Sequence, residues 1–394
     1  MMNFFFSDDV RRNPYHWYAQ VRSSCPVLHD PRSDMWMLFD YASVRRAMDD
    51  HETFSSAVTP PTGRAPDWLV FQDPPRHTML RAIVMRTFTP RAIAALEPRI
   101  REFSRELLDA SIDRGEMDLV ADYAGPLPVL VIAELMGIPL EDRDRFARWS
   151  QAIVNLSYAI AGGEEAARAI REHAPAREEM RTYITHLAES RRSAPRDDLL
   201  TRLVQAEVDG NGLTTEEILG FFQLLLSAAT ETTTNLIDNA VLSFLEHPDQ
   251  LERLRREPSL LTSAIEEVVR YRSPGQAVFR ETRREVELHG RTIPAGKFVL
   301  VMVGSANRDP AQFADADRFD ISRNPNPHIA FGHGIHFCLG AALARLEARV
   351  ALSDLFGRLD NIALADDEPW EPSRALHVHG PASLPIRFSR RRED

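Results

Sequence analysis

Cys338 is the residue of this sequence best placed to do chemistry. It ends the run Phe331-Gly332-His333-Gly334-Ile335-His336-Phe337-Cys338 and is followed by Leu339-Gly340. Three glycines in ten residues let the backbone turn sharply and approach something flat and bulky. Beyond it, Leu343, Leu346 and Val350 recur at helical spacing, which predicts an amphipathic helix from Leu339 to Leu359. A cysteine at a helix N-terminus meets unpaired N–H groups and the positive end of the dipole, which favour a thiolate. Such a loop can present a thiolate axially to a planar cofactor. The alternative is an inert, buried cysteine behind a glycine turn.

Three other groups carry possible chemistry. Ala228-Ala229-Thr230-Glu231-Thr232-Thr233 places an acid beside hydroxyls within an apolar run. That is costly unless the acid is solvated or used, while the threonines can also bond back to the preceding turn. His77 and Arg81 are four residues apart in Asp73-Pro74-Pro75-Arg76-His77-Thr78-Met79-Leu80-Arg81. On a helix they project together, as a plain surface pair or as joint donors to an anion. Glu267 and Arg270, three apart, share a helix face.

These groups must be positioned by a mostly helical chain. The sequence has 394 residues, 44% of them hydrophobic, enough for a substantial core. Its net charge of -11 argues against general nucleic-acid binding. Cys25 and Cys338 are the only cysteines, so no disulfide framework is expected and the setting is a reducing, cytoplasmic one. No signal peptide or membrane anchor is expected. Short helices are predicted over Pro14–Val21 and Tyr41–Asp50, with a strand at Met35–Phe39 between them. Residues 53–72 read as a proline-rich mobile loop carrying Trp68 and Leu69, which either cap the core or line a pocket. Helical patterns dominate from His77 to Leu261, broken at Gly125-Pro126, Gly137–Pro139, Gly162-Gly163, Ala194-Pro195 and Asp209–Gly212. The longest opens with a capping box at Thr214 and Glu217 and ends near Glu246, before His247-Pro248. Strands and hairpins follow from Val286 to Val303. Residues 1–394 are expected to form one mainly-α domain with a minor β region.

The pattern F-G-x-G-x-H-x-C-x-G around Cys338 resembles the haem-ligand loop of the cytochrome P-450 family and matches it at every defined position. Other stretches resemble that family in order from Asp73 to about Phe388. The resemblance implies the family's triangular helical prism with small β-sheets. It implies haem b held by Cys338, with Phe331, Gly332, Gly340 and Ala228 around it and His77, Arg81, Arg280 and His336 on its propionates. Glu231 and Thr232 resemble the oxygen-activation pair, although Ala229 stands where glycine is commoner. Glu267, Arg270 and Arg318 resemble a buried structural trio. His328 is a further candidate for bracing the loop. The pocket implied by position comprises Leu224, Gln276, Ala277, Val278, His377 and Val378, with Gln276 and His377 as its polar groups. The implied activity is hydroxylation or epoxidation of an apolar small molecule, with electrons from a ferredoxin and its reductase delivered to a monomer. The rivals are a peroxide-driven peroxygenase, a haem-thiolate isomerase, a haem sensor, or a cysteine hydrolase built on Cys338 and His336.

Overall fold

The computed structural model describes residues 7–58, 68–86, 88–156, 163–208, 211–366, 368–373, 375 and 377–391. The proline-rich part of the expected loop, 59–67, lies outside the described residues. Helices form where the apolar spacing predicts them, with ends shifted by no more than three residues. In chain order the elements that matter here are α1 (Tyr15–Ser24), α2 (Tyr41–Asp49), α3 (Arg76–Met85), α4 (Glu97–Ile112), α5 (Pro126–Met136), α6 (Arg143–Leu156), α7 (Gly163–Ser193), α8 (Thr215–Glu246), α9 (Leu261–Tyr271) and α10 (Ala341–Arg358). The strands are β1 (Val27–Asp30), β2 (Met35–Leu38), β3 (Phe54–Ser55), β4 (Glu116–Asp118), β5 (Val278–Thr282), β6 (Phe298–Val301), β7 (Leu359–Leu364) and β8 (Pro385–Arg390).

The long helix α8 is the axis of the main core. Its first turn carries the expected capping box: the Glu217 N–H donates to Thr214 Oγ1 at 3.2 Å and the Thr214 N–H to Glu217 Oε2 at 2.8 Å. Two of the N–H groups at its start are thereby paired locally. Helices α5, α6, α7, α9 and α10 all pack against it. Most of Ile218–Phe244 is buried. Leu224, Ser227, Ala228, Glu231 and Thr232 are less buried, and their spacing puts them on one side of the helix. Of these, Leu224, Ala228 and Thr232 form one wall of a cleft, with Ser227 and Glu231 beside it, and α10 with the loop before it forms the other.

One sheet has the order β1-β2-β6-β5-β3, with β6 parallel to β2 and its other pairings antiparallel. The second, β7-β8-β4, departs from the sequence reading, which has unbroken helix through Glu116–Asp118. Those three residues become a strand by pairing with Pro385–Arg387 at the far end of the chain. A long-range partner of that kind leaves no local periodicity. Among the described residues no helix is long and apolar enough to cross a membrane.

The expected carboxylate–guanidinium trio exists with one member changed. Glu267 and Arg270 are both fully buried, joined by Arg270 Nε and Nη2, each 2.8 Å from a Glu267 oxygen. The second guanidinium on Glu267 belongs to Arg323, whose Nε lies 3.1 Å from Oε2. Arg318 is exposed and contributes its backbone carbonyl, accepting from Arg270 Nη2 at 3.1 Å.

Candidate active site

The cleft floor is the loop before α10. Gly332 and Gly334 take φ of 75° and 66°, in the left-handed region that glycine alone enters freely. A Cβ on Gly334 would lie 2.8 Å from the Met48 carbonyl oxygen, so the loop presses directly on α2. The turn brings the Cys338 N–H to the Phe331 carbonyl at 2.7 Å and leaves the thiol facing the cleft. A salt bridge beneath braces it. Arg345, on α10, donates to Glu266 from Nε at 2.6 Å and Nη2 at 2.8 Å, and its guanidinium lies 4.2 Å from the Phe331 ring centroid. The Ala330 N–H donates to His328 Nδ1, which leaves the ring proton on Nε2 to reach Glu266 at 2.9 Å. Burial alone would raise the Glu266 carboxyl, but these hydrogen bonds prevail and hold it down at about 2. His328 is thus a loop brace.

The expected helix-end stabilisation of Cys338 is present but outweighed. Burial pushes the thiol up, while the N–H groups of Gly340 and Ala341 and the charges of Arg345 and Arg81 pull it down by less. The protein by itself therefore favours the thiol, and a bound metal cation would be needed to favour the thiolate.

At one end of the cleft, buried cationic and imidazole groups gather; Asp73 acts on His77 and Arg280 through its charge, but among the described residues no carboxylate forms an ion pair with them. His77 is 2% exposed with neither ring nitrogen bonded, and the His336 ring sits 4.3 Å from it with Nε2 unpartnered. Burial and then Arg81 hold His77 down at about 4, and burial and then Arg280 hold His336 at about 3. Arg280 is 5% exposed, and burial lowers it to about 10. Its one hydrogen bond given by the structure runs from Nη1 to its neighbour's carbonyl, Phe279 O, at 2.7 Å. Arg81 donates to Phe337 O at 2.5 Å. His51, which the sequence reading passed over, is close enough to act on both imidazoles through its charge. Buried donors in this number are costly unless an anion completes them.

The opposite wall is α8. Ala228, Ala229 and Thr232 face the cleft, and Thr232 Oγ1 donates to the Ala228 carbonyl at 2.5 Å. This is the back-bond that a mid-helix threonine makes in the absence of a better partner. Burial pushes the neighbouring Glu231 up to about 7. Leu69, Phe88, Ile132, Phe221, Leu224 and Leu343 complete an apolar lining. The cleft holds about 890 Å³ free of protein atoms, some of it open to solvent. Glu347 also lines it, 1% exposed with Oε2 unpartnered, and burial raises it to about 8. It stands nine residues after Cys338 on α10, a lone carboxylate among apolar residues that spacing alone does not mark as a cleft residue.

A family model described as cytochrome P450 matches residues 163–379 of this chain. The chain belongs to the cytochrome P450 family. Cyclomarin C epoxidase CymV of Salinispora arenicola is 40% identical over 97% of this chain and 98% of its own. Vitamin D(3) 25-hydroxylase of Pseudonocardia autotrophica is 42% identical over 91% of this chain and 90% of its own. Substrate-free CYP109E1 from Bacillus megaterium superposes with a TM-score of 0.90 at 40% identity, covering 97% of this chain and all of that one. As a cytochrome P450 this protein is a monooxygenase with haem b as its cofactor. The residues present suit that group. A thiol faces a largely apolar cleft of about 890 Å³, and donors without a carboxylate partner stand at one end, where carboxylates would complete them.

Several residues expected in this P450's substrate pocket lie elsewhere. Gln276 turns toward the N-terminal helix: Oε1 accepts from Tyr18 at 2.9 Å, and Nε2 donates to the Ser273 carbonyl at 2.7 Å. Its amide is consumed by packing, which is incompatible with gripping a substrate. Ala277 is buried among Tyr15, Tyr18 and Phe39, and Val278 pairs with Val301 in the sheet. His377 lies against the Phe279 ring and is absent from the cleft wall, while Val378 bridges to Gly275. Trp68 stacks on Phe71 and donates to Gln223 Oε1 at 3.4 Å, so it caps the core beside the cleft. Leu69 and Leu224 do line it.

Proposed function

We propose that this cytochrome P450 hydroxylates or epoxidises a bulky apolar small molecule, drawing two electrons from a ferredoxin and its reductase. One O2, two electrons and two protons then convert the substrate to its oxygenated product and one water. The observation that carries the reading is the apolar cleft with Cys338 on one wall and the Ala228–Thr232 face of α8 on the other. Cys338 would ligate the haem, and His77, Arg81, Arg280 and His336 would hold its propionates. The bound haem supplies the oxygen chemistry, with thiolate donation favouring O–O cleavage. Ala228, Ala229, Leu224 and Phe221 would press the substrate toward the cofactor and exclude water.

Glu231, held at about 7, would be the proton donor to the cleft, with Thr232 handing the proton on once it leaves Ala228. An acid raised into this range is protonated below about pH 7 and loses its proton as the pH rises through it. Product formed per NADPH should therefore decline above about pH 7, and Glu231→Gln should remove that decline along with much of the turnover. Thr232→Ala should keep substrate binding but divert electrons into peroxide, lowering product per NADPH by about tenfold or more. Equal coupling in wild type and Thr232→Ala would leave Thr232 with its back-bond alone. A peroxygenase or isomerase would have no use for this pair.

CYP109E1 has also been crystallised with testosterone and with corticosterone, and the Pseudonocardia relative is named for vitamin D3. Steroids and secosteroids are accordingly the first compounds to screen, by the spin-state shift of the haem on binding. Ferredoxin docking is expected on the thiolate side, where Arg86, Arg91 and Arg105 are exposed. Arg76, Arg99, Arg101, Arg345 and Arg349, which could extend that surface, are already in ion pairs, which weakens their attraction for an acidic partner. The rate of reduction by ferredoxin should fall with ionic strength. A rate indifferent to salt would remove this surface. We place the enzyme in the cytoplasm as a monomer.

A further inference from the structure

Seven residues beyond Glu231, α8 carries a carboxyl group that neither the fold nor the proposed chemistry uses. Asp238 is 0% exposed, and neither Oδ1 nor Oδ2 has a partner. An unpaired carboxyl in a core costs stability, and an apolar side chain there would be better tolerated. Glu231, Asn235 and Asp238 follow at i, i+4 and i+7, so they share one face of the helix and span about 10 Å along it. The orphaned atoms on and beside that face form a series: Asn235 Nδ2, both oxygens of Asp238, and Asn239 Oδ1. Protein interiors rarely leave so many polar atoms of neighbouring residues unmatched, and buried water is the usual partner.

The surroundings give this series two ends. The C-terminal loop covers its middle: a Cβ on Gly380 would lie 2.1 Å from Asn235 Oδ1, and Asn239 Nδ2 donates to His379 O at 2.8 Å and Arg272 O at 3.2 Å. At the near end Glu231 adjoins Thr232 at the cleft. At the far end half-buried Asp118, on β4, is close enough to act on Asp238 through its charge. Asp118 accepts from the Leu384 N–H at 3.0 Å and the Ser383 hydroxyl at 2.6 Å, tying the series to the sheet edge. Burial and then Asp118 push Asp238 well up, which favours its protonated form. Burial holds His379, over Asn239, near 3 and hence neutral. Arg272 pairs with Glu246.

We propose that this face of α8 is a proton-supply file, in which Asp238 and water held at Asn235 and Asn239 reprotonate Glu231 from the Asp118 side. Two protons enter the cleft in every turnover, and apart from Glu347, the threonines of α8 and the donors at one end its walls are apolar. In each transfer Asp238 gives its carboxyl proton to a neighbouring water, the excess proton reaches the Glu231 carboxylate, and Asp238 regains one from the solvent side. Asp238 acts through Glu231 and touches neither substrate nor cofactor. This rests on the reading of Glu231 as proton donor given above.

The test begins with infrared difference spectra of haem-loaded wild type and Asp238→Asn. Wild type should show the carbonyl band of a protonated carboxylic acid that the variant lacks, and the band should shift promptly in D2O because water reaches it. No such band, or one that resists exchange, overturns the file whatever the enzyme's activity. With any substrate that is turned over, Asp238→Asn should slow the O2- and NADPH-driven reaction roughly tenfold and enlarge its solvent isotope effect. Hydrogen peroxide brings its own two protons, so peroxide-driven turnover should be unchanged. Equal loss in both reactions means a merely structural role, and no loss in either means no role; both overturn the proposal. Asp238→Leu, which suits a buried helix face, repeats the comparison if the asparagine variant folds poorly. If Glu231→Gln leaves coupling intact, the reading of Glu231 is what has failed, while the infrared exchange still reports whether water reaches Asp238.

Discussion

Cys338→Ser is expected to abolish the absorption of the reduced, carbon-monoxide-bound haem that marks thiolate ligation, and monooxygenation with it. The loop presents one soft ligand to the cleft, and its geometry is set by the Cys338–Phe331 hydrogen bond and by the Glu266 brace. Serine would keep that backbone path, so the variant changes the ligand without dismantling its mount. A hydroxyl ionises far less readily than a thiol and is the wrong donor for electron release toward iron. The N–H groups of Gly340 and Ala341 and the charges of Arg345 and Arg81 would then have no thiolate to stabilise. The variant should be isolated either free of haem or with a weakly held haem that lacks the thiolate spectrum. Cys25→Ser is the control: Cys25 lies outside the cleft, its sulfur beside Arg291, and that variant should retain the spectrum. A thiolate spectrum surviving in Cys338→Ser would remove Cys338 as the ligand.

How much of this was readable before folding depended on whether the determinant was local. The Thr214–Glu217 box, the stop before Pro248 and the glycine turn into Cys338 all depend on residues a few positions apart, and all stand where the spacing puts them. The trio on Glu267 shows the limit. Arg318 and Arg323 are both arginines in one loop, and only the path of the backbone decides that Arg323 turns inward while Arg318 offers a carbonyl. Gln276 shows the same limit. Its partners, Tyr18 and Tyr15, lie more than 250 positions away and claim the amide before any substrate can. Strand β4 exists through its pairing with the C-terminal strand. Glu347 and Asp238 did leave a signal, a carboxylate inside an apolar helical stretch. What spacing lacked was whether a partner waits across the interface, and for both the structure supplies none.

Glu267→Ala is expected to destabilise the protein by about 3–5 kcal/mol, the cost of leaving a buried charge without its partner. Glu267 accepts from Arg270, Arg323, the Asp320 N–H at 2.9 Å and Asn326 Nδ2 at 3.3 Å, so one carboxylate gathers a helix and the segment leading to the haem loop. Arg270 reaches the carbonyls of Asn307, at 2.9 Å, and Ala316, at 2.8 Å, and would remain buried with its charge unmatched. A loss of this size is a large share of the roughly 5–15 kcal/mol that holds a typical protein folded. It should also act on the site, because the adjacent Glu266 carries Arg345 and His328 on its carboxylate. Moving α9 would loosen the loop that presents Cys338. The measurements are the urea midpoint and the rate of haem release. Both should worsen sharply in Glu267→Ala and less in Glu267→Gln, which keeps part of the acceptor set. Arg323→Ala should fall between, since its side chain is 11% exposed and Arg270 retains its own bonds to Glu267. Arg318→Ala separates the structure from the sequence pattern: its backbone carbonyl survives the substitution, so its unfolding free energy should stay within about 0.5 kcal/mol of wild type. A large loss in Arg318→Ala with little in Arg323→Ala would reverse the assignment and restore the trio that spacing suggested.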